Sequence, residues 1–270
     1  MQPSNSRRRA LVTGASAGIG AAFARALAAQ GHDLVLTARR AERLQALADE
    51  LGREHGVIVT VAPADLADPA APAAMLDQLR EHGLDIDILI NNAGYGVPGT
   101  FDSQTWETHK DFIQVLMTAP TELAHRLLPD MRQRSYGRII NVASLAGHMP
   151  GSSGHTLYAA AKAYQIKFSQ SLALENREHG IKVCALCPGF TYSEFHDVTG
   201  ARELVSKMPR WMWMDAERVV REGLAAVERG RAVYTPGRIN RGIKAVTELL
   251  PDRLALHLTA KNSKSYRVTD

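Results

Sequence analysis

Two side chains that could share a proton stand four residues apart in "TLYAAAKAY" at 156–164: Tyr158 and Lys162, separated by three alanines. Alanine is the strongest helix former, and residues four apart in a helix lie on one face. A phenol would then sit beside an ammonium group. A tyrosine with a pKa of about 10 yields little phenolate near neutrality. A cation within about 4–6 Å favours phenolate and lowers that pKa by roughly 1–3, which suits a general acid/base working in both directions. The plainer reading is an aromatic ring and a charged stem covering a helix surface. The pair alone does not choose between them.

A second group of residues points to phosphate. The apolar run "RALVT" (9–13) leads into "TGASAGIG", with Gly14, Gly18 and Gly20 spaced G-x-x-x-G-x-G and with Ser16 and Ile19 in the same turn. Glycines permit a tight turn and a close approach of pyrophosphate to backbone. A helix starting there offers unpaired N–H groups and the positive end of its dipole. A dinucleotide site usually places an acid about 20 residues further on, to hold a ribose 2′-OH. Here that place is Ala38, followed by Arg39 and Arg40. A guanidinium pairs with a 2′-phosphate through two hydrogen bonds, so the expected cofactor is NADP(H) in preference to NAD(H). Arginines that simply solvate a helix start would give the same letters.

Other chemistry has little support. Cys184 and Cys187 form a C-x-x-C pair, but "IKVCALCPG" reads as a strand, where residues three apart face opposite sides. Two buried thiols are expected rather than a metal site or a disulfide. The ten histidines show no ligand spacing, so no metal is expected. The formal charge of +4 is spread along the chain, with Arg7-Arg8-Arg9 as the only basic run. That excludes the clustered patch a nucleic-acid partner needs, and the triplet is read as solubilising a frayed N-terminus. No apolar stretch is long enough to span a bilayer and none is laid out as a signal peptide, so the expected location is cytoplasmic.

The elements that must position these residues follow from alternation. Strand-like runs at 9–13, 33–37, 57–61, 86–90, 137–143, 181–187 and 232–236 are separated by helical stretches. Helices are expected over about 18–30, 41–54, 69–82, 156–178 and 215–229, with a long helical region ending near 127–131. Seven strands alternating with helices imply an α/β fold: a doubly wound parallel sheet with helices on both faces, in a single domain. The expected organisation is a flexible tail over 1–8, a Rossmann-type catalytic domain over 9–237, and a helical extension over 238–270 packed on it. Residues 190–214 break the alternation and contain Trp211, Met212, Trp213 and Met214. They fit a bulky apolar substrate, or the packing of a loop or subunit interface. The extension carries apolar residues at helical spacing on both sides of Pro251, which fits packing, an oligomer contact, a lid or a membrane surface.

"TGASAGIG", "NNAG" (91–94), Ser144 in "NVASLAG", "YAAAK" (158–162) and "CPGF" (187–190) occur in that order. Together they resemble the short-chain dehydrogenase/reductase family over about residues 8–236. The resemblance implies interconversion of a carbonyl and an alcohol by hydride transfer, with Tyr158 as general acid/base. Lys162 would tune the tyrosine and bond the nicotinamide ribose, and Ser144 would donate to the substrate oxygen. It also implies that Asp65 and Leu66 lie at the adenine, and that Asn91, Ala93 and Gly94 line the cofactor cleft. Pro188, Gly189 and Ser193 would lie near the nicotinamide, and the assembly would be a homodimer or homotetramer. One member of the family's usual set is missing. An asparagine in a context like "IQVNLTAP", thought to hold a water joining the lysine to solvent, is replaced here by Leu116 in "IQVLMTAP". A leucine cannot hydrogen-bond that water. The rival reading is therefore an NADP(H)-binding sensor or partner protein with little turnover.

Overall fold

The computed structural model describes residues 7–154, 156–193 and 209–263. Seven strands pair in parallel in the order β3-β2-β1-β4-β5-β6-β7. They are β1 (Arg9–Thr13), β2 (Asp33–Thr37), β3 (Val59–Val61), β4 (Ile88–Asn91), β5 (Gly137–Val142), β6 (Ile181–Leu186) and β7 (Val233–Tyr234). The helices are α1 (Gly18–Ala29), α2 (Ala41–His55), α3 (Ala71–Glu81), α4 (Trp106–Ile113), α5 (Ala119–Gln133), α6 (Thr156–Glu175), α7 (Ala216–Glu228), α8 (Arg238–Leu249) and α9 (Asp252–Ser263).

The central strands read as continuous apolar runs because both faces of the sheet are covered. Alternate residues go to opposite layers. Val12, Leu36, Ile90, Ile140 and Leu186 pack with α1, α2 and α7, whereas Leu11, Val35, Leu89, Ile139 and Val183 pack with α3, α5 and α6. Cys184 belongs to the first layer and Cys187 lies on the other side of the sheet. Both thiols are buried and free, and burial pushes the Cys184 thiol up to about 12.

The strand order reverses between β1 and β4, the switch point where open α/β sheets leave a crevice at the carboxyl ends of their strands. The Gly14 turn leaves β1 there, and Asn91 ends β4 on the opposite bank. At the edges the strands are shorter than their sequence runs: β3 omits Val57 and the exposed Ile58, and β7 keeps two residues. The long helical region divides into α4, a π turn over Gln114–Thr118, and α5. α6 stops at Glu175, and a 3₁₀ turn over Arg177–His179 ends at Gly180, whose φ is 71°.

The arginine triplet is tied down rather than frayed. The Arg8 guanidinium lies 3.1 Å from the Tyr136 ring centroid. Arg9 pairs with Asp33 at 3.9 Å and donates to the Asp85 carbonyl at 3.3 Å. α8 and α9 form on either side of Pro251. α8 reaches the segment after β5, where Glu248 meets His148 at 3.3 Å. No helix among the described residues is long and apolar enough to cross a membrane.

Candidate active site

The glycine turn is set by contacts that admit no side chain. Gly14 (φ +65°) would place a Cβ 2.8 Å from Asn92 Nδ2 and 2.9 Å from Ala93 Cα. A Cβ on Gly20 would lie 2.6 Å from Asn92 Nδ2 and closer still to the Gly14 carbonyl oxygen. Asn92 Nδ2 donates to Thr13 O at 2.9 Å and to Gly14 O at 3.3 Å. Thr13 Oγ1 accepts from the N–H groups of Asn92 and Ala93. β1 and β4 are thus fastened to each other at the mouth of the crevice. α1 begins at Gly18 from an extended Ala17, with no side-chain cap and no acid in its first turn. Its leading N–H groups are therefore open to an anion.

The donor set at this turn is of the kind that holds a dinucleotide's phosphates. Arg40 donates to Ser16 Oγ from Nε (3.3 Å) and from a terminal nitrogen (3.0 Å), closing over the glycine turn. Arg39 is exposed just past the end of β2. Asp65 is exposed and caps its own turn by accepting from Ala67 N at 3.0 Å, while Leu66 is buried beside Leu116 and Phe112. On the far wall the chain turns back onto the glycine motif: a Cβ on Gly18 would lie 2.9 Å from Ser193 Cβ. Pro188 O accepts from Leu145 N at 2.8 Å, and Gly189 abuts Asn240 of α8. Segments more than 170 residues apart in the sequence so meet at the glycine turn, in the crevice at the strand ends, and Ala93 and Gly94 pack near Leu116.

Asn91 does not present its side chain to that cleft. It is buried, and Nδ2 donates to Asn141 Oδ1 (2.8 Å) and to Pro120 O (3.2 Å), bracing β4 against β5 and α5. Its neighbour Asn92, unremarked in the sequence, is the amide that works at the glycine turn. The dipeptide alone does not say which asparagine faces in; the strand's alternation does.

Tyr158 and Lys162 stand one turn apart on α6, with Lys162 Nζ 5.6 Å from the Tyr158 ring centroid. The tyrosine is half-buried, at the rim of a cleft also lined by Val97, Phe101, Phe112, Thr156 and Leu157. Lys162 is buried and donates to Val142 O at 2.8 Å and Gln165 Oε1 at 3.1 Å. Burial lowers its pKa to about 8, which still leaves the ammonium in roughly tenfold excess at pH 7. Ser144 caps the short turn Leu145–His148: its Oγ accepts from Ala146 N at 3.1 Å. That turn lies tight on α6, since a Cβ on Gly147 would come within 2.7 Å of the Lys162 carbonyl carbon. Among the described residues no acceptor takes the Ser144 hydroxyl's own proton.

Leu116 is fully buried in the π turn, packed with Leu66, Phe112 and Ala161. Its carbonyl oxygen accepts from Gln165 Nε2 at 2.8 Å. Gln165 was not legible as a site residue; the signals were its i, i+3 spacing from Lys162 and a proline four residues after Leu116. In the loop, Trp213 stacks on Tyr192 (ring centroids 4.8 Å apart) and lies 5.5 Å from Phe190. Met214 is buried in the core, and its backbone bridges to Thr191. These two pack the loop, whereas Trp211 is 61% exposed. Residues 194–208 of that loop lie outside the described residues. Among the described residues no cluster of ligands could hold a metal.

Residues 8–203 match the pattern of the family described as short chain dehydrogenase. Nodulation protein G of Rhizobium sp. (strain N33) is 37% identical over 250 residues, covering 88% of this chain and 98% of that protein. Among solved structures, a short-chain dehydrogenase from Sphingobium yanoikuyae in complex with NADPH is 36% identical, with a TM-score of 0.79 over 90% of this chain and 96% of the other. The bulky-bulky ketone specific alcohol dehydrogenase from Comamonas testosteroni is 32% identical, with a TM-score of 0.74 over 90% and 95% of the two chains. With this sheet order, this glycine turn and a tyrosine–lysine pair on α6, the chain belongs to the short-chain dehydrogenase/reductase family of oxidoreductases.

Proposed function

We propose that the protein is an NADP(H)-dependent oxidoreductase that interconverts a ketone or aldehyde and the corresponding alcohol, with Tyr158 as its acid/base. The observation that carries the reading is the placement of Tyr158 over an apolar cleft, one turn from a buried ammonium. Mere nucleotide binding has no use for that phenol. A bound nicotinamide supplies or takes the hydride. Tyr158 gives a proton to the carbonyl oxygen as negative charge develops on it, or as phenolate removes one from the alcohol. Lys162 stabilises that phenolate. Ser144, whose oxygen is held by Ala146 N, directs its proton to the same substrate oxygen.

Arg39, Arg40 and Ser16 favour a 2′-phosphate over a bare ribose, since no carboxylate stands at Ala38 to repel it. Val97, Phe101 and Leu157 give the cleft apolar walls, and a similar enzyme is described as bulky-bulky ketone specific; a bulky apolar carbonyl compound is the substrate class in this reading. A homodimer or homotetramer is also part of the reading: Val246, Leu249, Leu254 and Leu256 are exposed on α8 and α9, and light scattering at micromolar concentration checks it.

The test is NADPH consumption with a panel of aryl, cyclic and long-chain ketones, in wild type and Tyr158→Phe. Wild type turns over at least one, and Tyr158→Phe binds NADPH equally well yet loses nearly all kcat. Retention of more than about a tenth of kcat would remove Tyr158 as the acid. Tight NADPH binding with no turnover on any carbonyl would leave a sensor.

A further inference from the structure

The Lys162 ammonium has three N–H groups, and the described residues take two. One goes to Val142 O at 2.8 Å and one to Gln165 Oε1 at 3.1 Å. Gln165 is three residues further along α6, on the same face, and is itself 3% exposed. Its other end donates from Nε2 to Leu116 O at 2.8 Å. That carbonyl needs an outside donor: in a continuous α-helix it would take the N–H of residue 120, which is a proline without one. The π turn and Pro120 therefore present a backbone acceptor toward α6, and the Gln165 amide spans the gap to the lysine.

We propose that Gln165 is a positioning residue for Lys162, bridging its ammonium to the Leu116 carbonyl so that one N–H remains for Tyr158 and the cofactor. The proposal rests on the reading of Tyr158 and Lys162 as the reactive pair. It also resolves the leucine at 116, because the hydrocarbon side chain fills the core while the backbone of the same residue takes the polar contact. An amide passes a proton on only through its imidic acid form. The bridge therefore holds the lysine in place without wiring it to solvent.

The titratable groups that face Lys162 are Tyr158 from its own helix and Cys187 from the end of β6, whose thiol burial keeps neutral. The Cys187 thiol therefore offers the cation no negative charge, and apart from Tyr158 the Gln165 oxygen is its principal side-chain support. Removing it lowers the lysine's affinity for its proton; replacing it with a carboxylate raises it.

The experiment uses full-length protein with ¹³C-labelled lysine, the Lys162 signal being assigned by its absence in Lys162→Arg. In Gln165→Leu, Lys162 loses its proton at a pH about one unit lower than in wild type, and in Gln165→Glu at a higher pH. With a turned-over alcohol, the pH at which kcat reaches half its maximum moves upward in Gln165→Leu, because phenolate is less favoured. If Gln165→Leu does not fold, Gln165→Met deletes the same two bonds with an equally long, flexible side chain. Titration midpoints that stay together in all variants, or that fall alike in Leu and Glu, overturn the proposal. This readout does not need turnover. Opposite lysine shifts in a protein that reduces no carbonyl would support the bridge and sink the reductase reading; coincident midpoints in an active enzyme would do the reverse.

Discussion

Leu116→Asn restores the side chain that the family usually has at this position, and the structure sets what it should do. Leu116 is fully buried against Leu66, Phe112 and Ala161, and its Cγ would lie 3.5 Å from a Cβ on Gly94. Truncating such a leucine to alanine costs about 2–5 kcal/mol. Asparagine keeps much of the volume but exchanges hydrocarbon for an amide, and a buried amide without partners costs about 1–3 kcal/mol. The expected destabilisation is about 3–5 kcal/mol. At roughly 2–4 °C per kcal/mol for a chain of this size, Tm falls by about 6–20 °C. No catalytic gain offsets this, because the side chain at 116 packs among Leu66, Phe112 and Ala161, so an amide there meets hydrocarbon; kcat stays level or falls. Thermal unfolding and steady-state kinetics on one preparation decide the matter. A variant that melts within about 2 °C of wild type and turns over several-fold faster would refute the reasoning. It would mean that the amide finds partners and that the lysine's network lacked one.

Cofactor selectivity should divide between the two arginines. Arg39→Ala weakens NADPH about ten- to a hundred-fold, the worth of a charged hydrogen bond of roughly 1.5–3 kcal/mol, and leaves NADH little changed. Arg40→Ala releases Ser16 and should also weaken NADPH more than NADH, by a smaller factor; equal losses for both in Arg39→Ala would remove the 2′-phosphate assignment. Gly20→Ala forces a Cβ against the Gly14 carbonyl and Asn92, contacts that backbone cannot yield cheaply. A stability loss of about 1–3 kcal/mol with loss of both cofactors is expected, and wild-type binding and melting would show that the turn is softer than its contacts indicate.

Much of this protein was legible as text. Short continuous apolar runs and intervening helical stretches suffice for a parallel sheet, because each run must be covered on both faces. Local spacing likewise put Tyr158 beside Lys162, since four residues make a helical turn wherever the helix goes. Edge strands were overread at Val57 and Ile58, where apolar letters lack a second neighbouring strand. What only the tertiary structure decided were contacts between segments distant in sequence. Asn91 turns inward to Asn141 while Asn92 serves the glycine turn. Met214 joins the core instead of a substrate wall. Gln165 meets a carbonyl 49 residues away, freed by a π turn and a proline. The absence of one asparagine reads in the sequence as a gap. The fold supports the lysine by a different residue, Gln165, because a hydrogen bond depends on where donor and acceptor meet in space, whichever residues carry them.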